Sequence, residues 1–216
     1  MTPNPFTTSP DTSVGEVWKL MKEHDLRRIP VMDRGQLTGI LTRTDFGTRP
    51  DLNLRGTSVA TRYFTTDQEE LLKKVKVKDL ISSNQSLITI SPDAFVEHAA
   101  QLLRDNKVGG LPVVDENNKL LGIITLTDVL DAFLEVLAIN RPGSRINLWV
   151  DDSPETLANI GLILSKHGVK LHNIVIMEVK DDQQLLLLRI NTAAPKAILE
   201  EFTTAGYTVD SIIIRQ

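Results

Sequence analysis

Two short segments carry the chemistry that is easiest to name, Thr42-Arg43-Thr44-Asp45 and Thr125-Leu126-Thr127-Asp128. Each sets a carboxylate three residues after a hydroxyl. An ionised carboxylate only accepts hydrogen bonds and has two oxygens, so a fixed Asp45 or Asp128 suits the two neighbouring hydroxyl donors of a ribose. Thr42 and Thr125, with Thr44 and Thr127 beside them, bring hydroxyls for phosphate or ribose. If each aspartate opens a helix, the free N–H groups of its first turn and the helix dipole favour a phosphate there. The apolar residues upstream, Ile29 and Val31 in one segment and Leu111 and Val113 in the other, would flank a flat base. The same Thr-x-x-Asp spacing also makes a helix-capping box, which stabilises a helix start by about 1 kcal/mol and binds nothing. Both readings stand at this level.

The segments differ in charge. Arg27, Arg28 and Arg43 surround the first, where the second has Gly109, Gly110 and Leu126. Arginines that face a cleft neutralise a phosphate chain, and arginines that face water are ordinary charged surface. The first case predicts asymmetry, with Asp45→Ala weakening nucleotide binding more than Asp128→Ala.

The elements that position these segments form a repeat. Ser9-Pro10-Asp11 returns as Ser91-Pro92-Asp93. After it, Val14, Val17, Trp18 and Met21 have the spacing of one helix face, which Val96, Ala99, Ala100 and Leu103 reproduce. Each helix leads to a strand, Ile29-Pro30-Val31-Met32-Asp33 or Leu111-Pro112-Val113-Val114-Asp115, then a turn and a second strand that completes a hairpin. The second strands match best, Gly39-Ile40-Leu41-Thr42-Arg43-Thr44-Asp45 against Gly122-Ile123-Ile124-Thr125-Leu126-Thr127-Asp128, and each runs into a further helix. Phe6-Thr7-Thr8 and Leu87-Ile88-Thr89-Ile90 are extended lead-ins. A polar insertion at residues 47 to 76 separates the copies and contains a helical run from Asp67 to Val75. Val77-Lys78-Asp79-Leu80-Ile81 introduces copy two and has no counterpart before copy one, which predicts a shortened first strand or a chain that starts further upstream.

This pattern resembles a pair of CBS domains, the tandem called a Bateman module, over roughly residues 1 to 138, with Gly-hydrophobic-x-Thr-x-x-Asp in both copies and Pro-Val upstream. The resemblance implies pseudo-twofold packing and two clefts that receive adenosine-containing ligands. AMP, ADP or ATP fits the arginines of copy one better than S-adenosylmethionine, which replaces phosphate with a sulfonium and an amino acid.

Asn140-Arg141-Pro142-Gly143-Ser144 reads as a linker, and a new segment starts near Arg145. Ile146, Leu148 and Val150 alternate as a strand, and Ser153-Pro154 caps a helix whose stripe is Leu157, Ile160, Ile163 and Leu164, ended by His167-Gly168. Strands at 171–179 and 184–191 flank an Asp181-Asp182 turn, and a helix at 195–205 and a strand at 207–215 follow. The order is βαββαβ, a ferredoxin-like layout. It resembles an ACT domain in Asp152-Ser153-Pro154 and Leu162-Ile163-Leu164-Ser165-Lys166-His167-Gly168-Val169. That family implies pairing through sheets and amino-acid binding near the first loop. Where the family has glycine after the loop proline this chain has Glu155, which disfavours the amino acid and leaves dimerisation. A CBS pair followed by an ACT domain resembles the AcuB-type acetoin-utilisation family.

The fold class expected is therefore α/β (α+β), with CBS domain 1 at 1–76, CBS domain 2 at 77–138, a linker at 139–144 and an ACT domain at 145–216. The 216 residues are ordinary in composition, 41% apolar and 24% charged, and exclude disordered and collagen-like classes. A net charge of −4 argues against nucleic acid or anionic membrane as partner. With no cysteine there is no disulfide or thiolate nucleophile, and without an 18-residue apolar run or a signal peptide the expected location is cytoplasmic. No phosphate-binding loop, zinc-protease motif or nucleophile elbow occurs, and His24, His98, His167 and His172 are scattered, so neither catalytic nor metal-binding residues are expected. The expected function is a non-catalytic regulator that senses an adenine nucleotide, forms a homodimer and acts on another protein. The competing reading is a constitutive scaffold with empty clefts.

Overall fold

The computed structural model describes residues 1–47, 73–81, 87–180 and 183–215. Residues 48–72 of the insertion between the copies, with the helical run from Asp67 as far as Leu72, and the Asp181-Asp182 turn lie outside the described residues.

The chain divides into two compact units, Met1–Val129 and Leu130–Gln216. In the first, a short strand β1 (Thr2–Pro3) precedes α1 (Val14–Glu23). Ser13 starts α1 with a reciprocal box, its side chain accepting the Glu16 amide at 3.2 Å while Glu16 accepts the Ser13 amide at 3.2 Å. Val14, Val17 and Met21 form the buried face of α1. The hairpin β2 (Arg28–Asp33) and β3 (Gln36–Thr42) follows, turning on Arg34 and Gly35, both at positive φ. The second copy uses α2 (Val77–Leu80), α3 (Val96–Asp105), β4 (Gly110–Val114), β5 (Leu120–Thr125) and α4 (Leu126–Val136), and the division between units falls inside α4. The hairpins share even their irregularity, a register shift at Val31/Met32 in one and at Val113/Val114 in the other.

The copies exchange their leading segments. β1 pairs with β5 of the second copy, Thr2 opposite Ile123. Val77 of α2 joins the core of the first, with Val14, Val17, Met21, Ile29, Val31, Leu41 and Phe46. The Val77 and Lys78 amides also donate to the Thr12 and Pro10 carbonyls at 3.0 and 2.9 Å. The boundary read after residue 76 is thus crossed in space, because Val77 finds its apolar groove in the preceding copy.

Thr8 and Ile90 hold equivalent places, each pairing in parallel with its own hairpin, at Val31 and Val113. Ile90 fills its place with an apolar side chain, but the Thr8 hydroxyl is buried without a hydrogen-bond partner. Thr8→Val is expected to stabilise the fold by about 1 kcal/mol. A higher urea midpoint at unchanged slope would register this, and an unchanged midpoint would show the hydroxyl to be satisfied by water.

The second unit consists of β6 (Gly143–Asp151), α5 (Pro154–Lys166), β7 (Leu171–Lys180), β8 (Gln183–Ile190), α6 (Lys196–Thr204) and β9 (Thr208–Arg215). Its sheet runs β7-β8-β6-β9 with every neighbour antiparallel, the ferredoxin-like order expected from βαββαβ. Alternation along β6 and β8 turns Ile146, Leu148, Val150, Leu186, Leu188 and Ile190 onto Ile160, Ile163 and Leu164 of α5 and Ile198 and Phe202 of α6. Ser153 precedes α5 with extended backbone, and His167 ends it before Gly168 at φ 65°. Glu201 of α6 accepts from Lys166 at 2.8 Å and meets His167 Nε2 at 2.7 Å, and these two partners hold its carboxyl below the ordinary value. Among the described residues no helix is long and apolar enough to cross a membrane.

Candidate functional site

Both Thr-x-x-Asp segments close on themselves. The Thr42 amide and hydroxyl donate to Asp45 Oδ2 at 2.6 and 2.7 Å, and Asp45 opens a short 3-10 turn, Asp45–Gly47. The Thr125 amide and hydroxyl donate to Asp128 Oδ2 at 2.8 and 2.6 Å, and the Asp128 amide returns a bond to the Thr125 hydroxyl at 3.3 Å. Asp128 is the third residue of α4 and not its first, so Thr125 is the cap. The reciprocal capping bond is present in copy two, and in both copies the bonds from threonine commit one carboxylate oxygen of the aspartate. Thr42 and Thr125 have likewise spent their donor protons, whereas among the described residues the hydroxyls of Thr44 and Thr127 have no partner.

Asp128 Oδ1 lies 3.4 Å from the Met1 ammonium. Burial opposes ionisation of Asp128, but the bonds from Thr125 and the Met1 charge outweigh it and hold the carboxyl below its ordinary 3.8. A depressed folded value means that this contribution to stability is present above pH 3.8 and is lost as pH falls through the lower folded value.

Two clefts flank these segments. The first, about 420 Å³, is lined by Arg27, Arg28, Ile40, Thr42, Arg43 and Thr44 of one copy and by Leu87, Ile88, Lys107, Val108, Gly109 and Gly110 of the other. The second, about 470 Å³, is lined by Ile123, Thr125, Leu126, Thr127 and Gly109 of copy two and by Thr2, Asn4, Pro5, Phe6, Asp25, Leu26, Arg27 and Arg28 of copy one. Each cleft joins the Thr-x-x-Asp segment of one copy to the lead-in of the other. Both volumes fall in the range of small-molecule sites, about 300–1,000 Å³.

Arg27, Arg28 and Gly109 border both clefts. The Arg28 guanidinium donates to the Gly109 carbonyl and fills the space that a Cβ on Gly109 or Gly110 would need. Burial lowers its pKa, and the Arg27 charge acts the same way. Arg43 is a buttress, donating to the Leu26 and Met21 carbonyls at 2.7 and 3.2 Å and to Asp25 at 2.9 Å. Among the described residues the Arg27 side chain has no partner and is available to a ligand.

The expected residues therefore separate. Thr42, Arg43 and Thr44 border the first cleft and Thr125 and Thr127 the second, with Asp45 and Asp128 bonded behind their threonines. Ile29, Val31, Leu111 and Val113 are at most 3% exposed and line neither cleft, because strand alternation turns them into the cores. Ile40 and Ile88 supply the apolar wall of one cleft, and Ile123 and Phe6 that of the other. The Phe6 ring stacks on His24 with centroids 4.3 Å apart. Lys107, Val108, Ile88 and Phe6 escape a search for motifs. The repeat itself marks them, since Phe6 and Ile88 are equivalent, as are Asp25 and Lys107. Among the described residues no three His, Asp or Glu side chains gather as a metal site.

The model of the CBS domain family matches residues 1–46 and 77–135. A CBS domain-containing protein of Dictyostelium discoideum is 32% identical over 141 residues, 64% of this chain and 91% of that protein. Of three inosine-5'-monophosphate dehydrogenases that it matches, the chain spans 21% to 32%. Among solved structures, CBSX2 in complex with AMP is 29% identical, with 65% of this chain and 95% of that one covered and a TM-score of 0.48. A structure named for acetoin utilization (AcuB), from Vibrio cholerae, is 22% identical, covers 65% of this chain and 90% of its own, and has a TM-score of 0.49.

Proposed function

The chain belongs to the CBS-domain proteins as a tandem pair, and from that premise we propose that its first unit is a non-catalytic sensor of an adenosine phosphate, AMP, ADP or ATP. The observation that carries this reading is the chemistry of the first cleft. Among the described residues Arg27, Arg28, Arg43 and Lys107 border it with no lining carboxylate, beside the apolar Ile40, Leu87 and Ile88 and a Thr44 hydroxyl that has no partner there. Cations suit a phosphate chain and disfavour the sulfonium of S-adenosylmethionine. The second cleft carries Asp25 among its lining residues and is the weaker phosphate site.

A ligand that touches both copies favours one arrangement of them, to the extent that it binds that arrangement more tightly. The chain that follows the CBS pair, through the end of α4 and segment 139–144, passes the change to the ACT-type sheet of β6 to β9, which forms a homodimer that acts on a regulated protein in the cytoplasm. The order of segments supports acetoin catabolism as the setting. Exposed Ile176, Met177 and Val179 on the edge strand β7 support pairing of two chains there. Against amino-acid sensing stands Glu155, whose carboxylate bonds the Ser153 hydroxyl at 2.9 Å at the loop where such a ligand would sit.

A thermal-shift panel of AMP, ADP, ATP, S-adenosylmethionine and amino acids tests the proposal. A ligand at 100 times its Kd adds about 2.7 kcal/mol of stability. The expected result is a shift with adenosine phosphates that shrinks more in Asp45→Ala than in Asp128→Ala. Ligand-free melting of each variant reads the lost cap separately, at about 1 kcal/mol. No shift with any adenosine compound would leave both aspartates as caps and favour the scaffold reading.

A further inference from the structure

We propose that the second unit holds a binding site for a small, multiply charged oxyanion on the sheet face opposite its helices, gripped by Arg145, Arg189 and Arg215. The register of β6 and β8 sets Arg145 directly opposite Arg189. Arg215 of β9 lies opposite Gly143, two residues from Arg145 along β6 and therefore on the same face. These three, with Arg141 and His172, enclose a cavity of about 160 Å³.

Like charges placed directly across a ladder are destabilising. The chain carries 28 acidic residues against 24 basic ones, yet among the described residues none of these arginines has an ion-pair partner. Arg145 reaches Asn147 Oδ1 at 3.3 Å and Arg215 donates to the Ile139 carbonyl at 2.5 Å, both neutral acceptors. Arg189 has no side-chain partner there at all. Burial lowers the Arg189 pKa, and the Arg145 and Arg215 charges push it the same way, as expected of a cation cluster that lacks its counterion.

An oxyanion resolves the conflict, since each guanidinium offers a planar fork of donors to phosphate or carboxylate oxygens. The cavity is under half the volume of either cleft, which suits a phosphate, a diphosphate or a short dicarboxylate. This site is independent of the sensor reading, since every residue in it belongs to the second unit.

Calorimetry and thermal melting of the full chain with orthophosphate, diphosphate and succinate, at ionic strength fixed with sodium chloride, test the site. Diphosphate is expected to bind and raise the melting temperature. Arg189→Gln is expected to remove that response and to raise the ligand-free melting temperature, and Arg189→Lys, which keeps the charge but not the fork, to weaken binding at least fivefold. A stronger response to succinate would assign the site to dicarboxylates. Arg27→Ala removes a cation of the clefts and so reads any diphosphate held there separately, and the response that persists in that variant is the one expected to vanish in Arg189→Gln. No response beyond that of chloride would overturn the proposal, as would a response lost in Arg27→Ala and retained in Arg189→Gln.

Discussion

Gly143→Ala is expected to destabilise the second unit by about 3 kcal/mol, from backbone strain and overpacking together. Gly143 has φ 135°, a conformation that side chains other than hydrogen rarely adopt. A Cβ there would also run into the Ile190 carbonyl oxygen. That oxygen belongs to backbone, so it cannot rotate away. The collision falls where β6 begins to pair with both neighbours, Ser144 opposite Ile190 and Gly143 opposite Arg215, so any relief opens the sheet at its centre. The chain's two tryptophans divide between the units, Trp18 in α1 and Trp149 in β6, and allow the effect to be located. In a Trp18→Phe background, the Trp149 unfolding midpoint in urea should fall steeply. Gly161→Ala in α5, where a Cβ meets nothing within 4 Å, should stabilise by about 0.5–1 kcal/mol. Equal midpoints for the two alanine variants would refute the account of Gly143.

Arg27→Ala is expected to weaken adenosine-phosphate binding at both clefts together, by tenfold to a hundredfold at each. Arg27 borders both cavities and has no protein partner among the described residues, so its charge is available to either ligand. A hydrogen bond to a charged group contributes about 1.5–3 kcal/mol, and each 1.4 kcal/mol is a factor of ten. Arg43→Ala makes the contrast. Its guanidinium is already engaged by Leu26, Met21 and Asp25, so the loss there should track lowered stability and not lost ligand contact. Titration calorimetry resolves the sites, and a loss confined to one cleft would show that Arg27 serves only that cleft.

The element order was legible in the chain because its signals are local. Gly35 and Ser153-Pro154 mark a turn and a helix start, and the alternation of Ile146, Leu148 and Val150 in β6 marks a buried face. The threonines of the clefts were legible for the same reason, as both copies repeat them. Facts settled between distant segments leave no such local signal. Ile29, Val31, Leu111 and Val113 read as walls for a base, but whether a strand residue faces a cleft or a core depends on what covers the hairpin, and here the helices do. Arg27 and Arg28 read as the property of one copy, and the packing of the two copies makes them common to both clefts. The exchange of β1 and α2 between copies is invisible to a linear reading, which assigns each lead-in to the segment that follows it.

The seat of Arg28 on Gly109 and Gly110 makes the two halves of the first unit a knob and a socket. Arg27-Arg28 occupy in the first half the positions that Gly109-Gly110 occupy in the second. Two first halves brought together from different chains would set four guanidiniums face to face, and two second halves would leave the socket empty on both sides. The duplicated halves are therefore no longer interchangeable, and each is complementary only to its own opposite. Swapping of halves between chains is disfavoured between like halves, and the simplest complementary pairing lies within a single polypeptide.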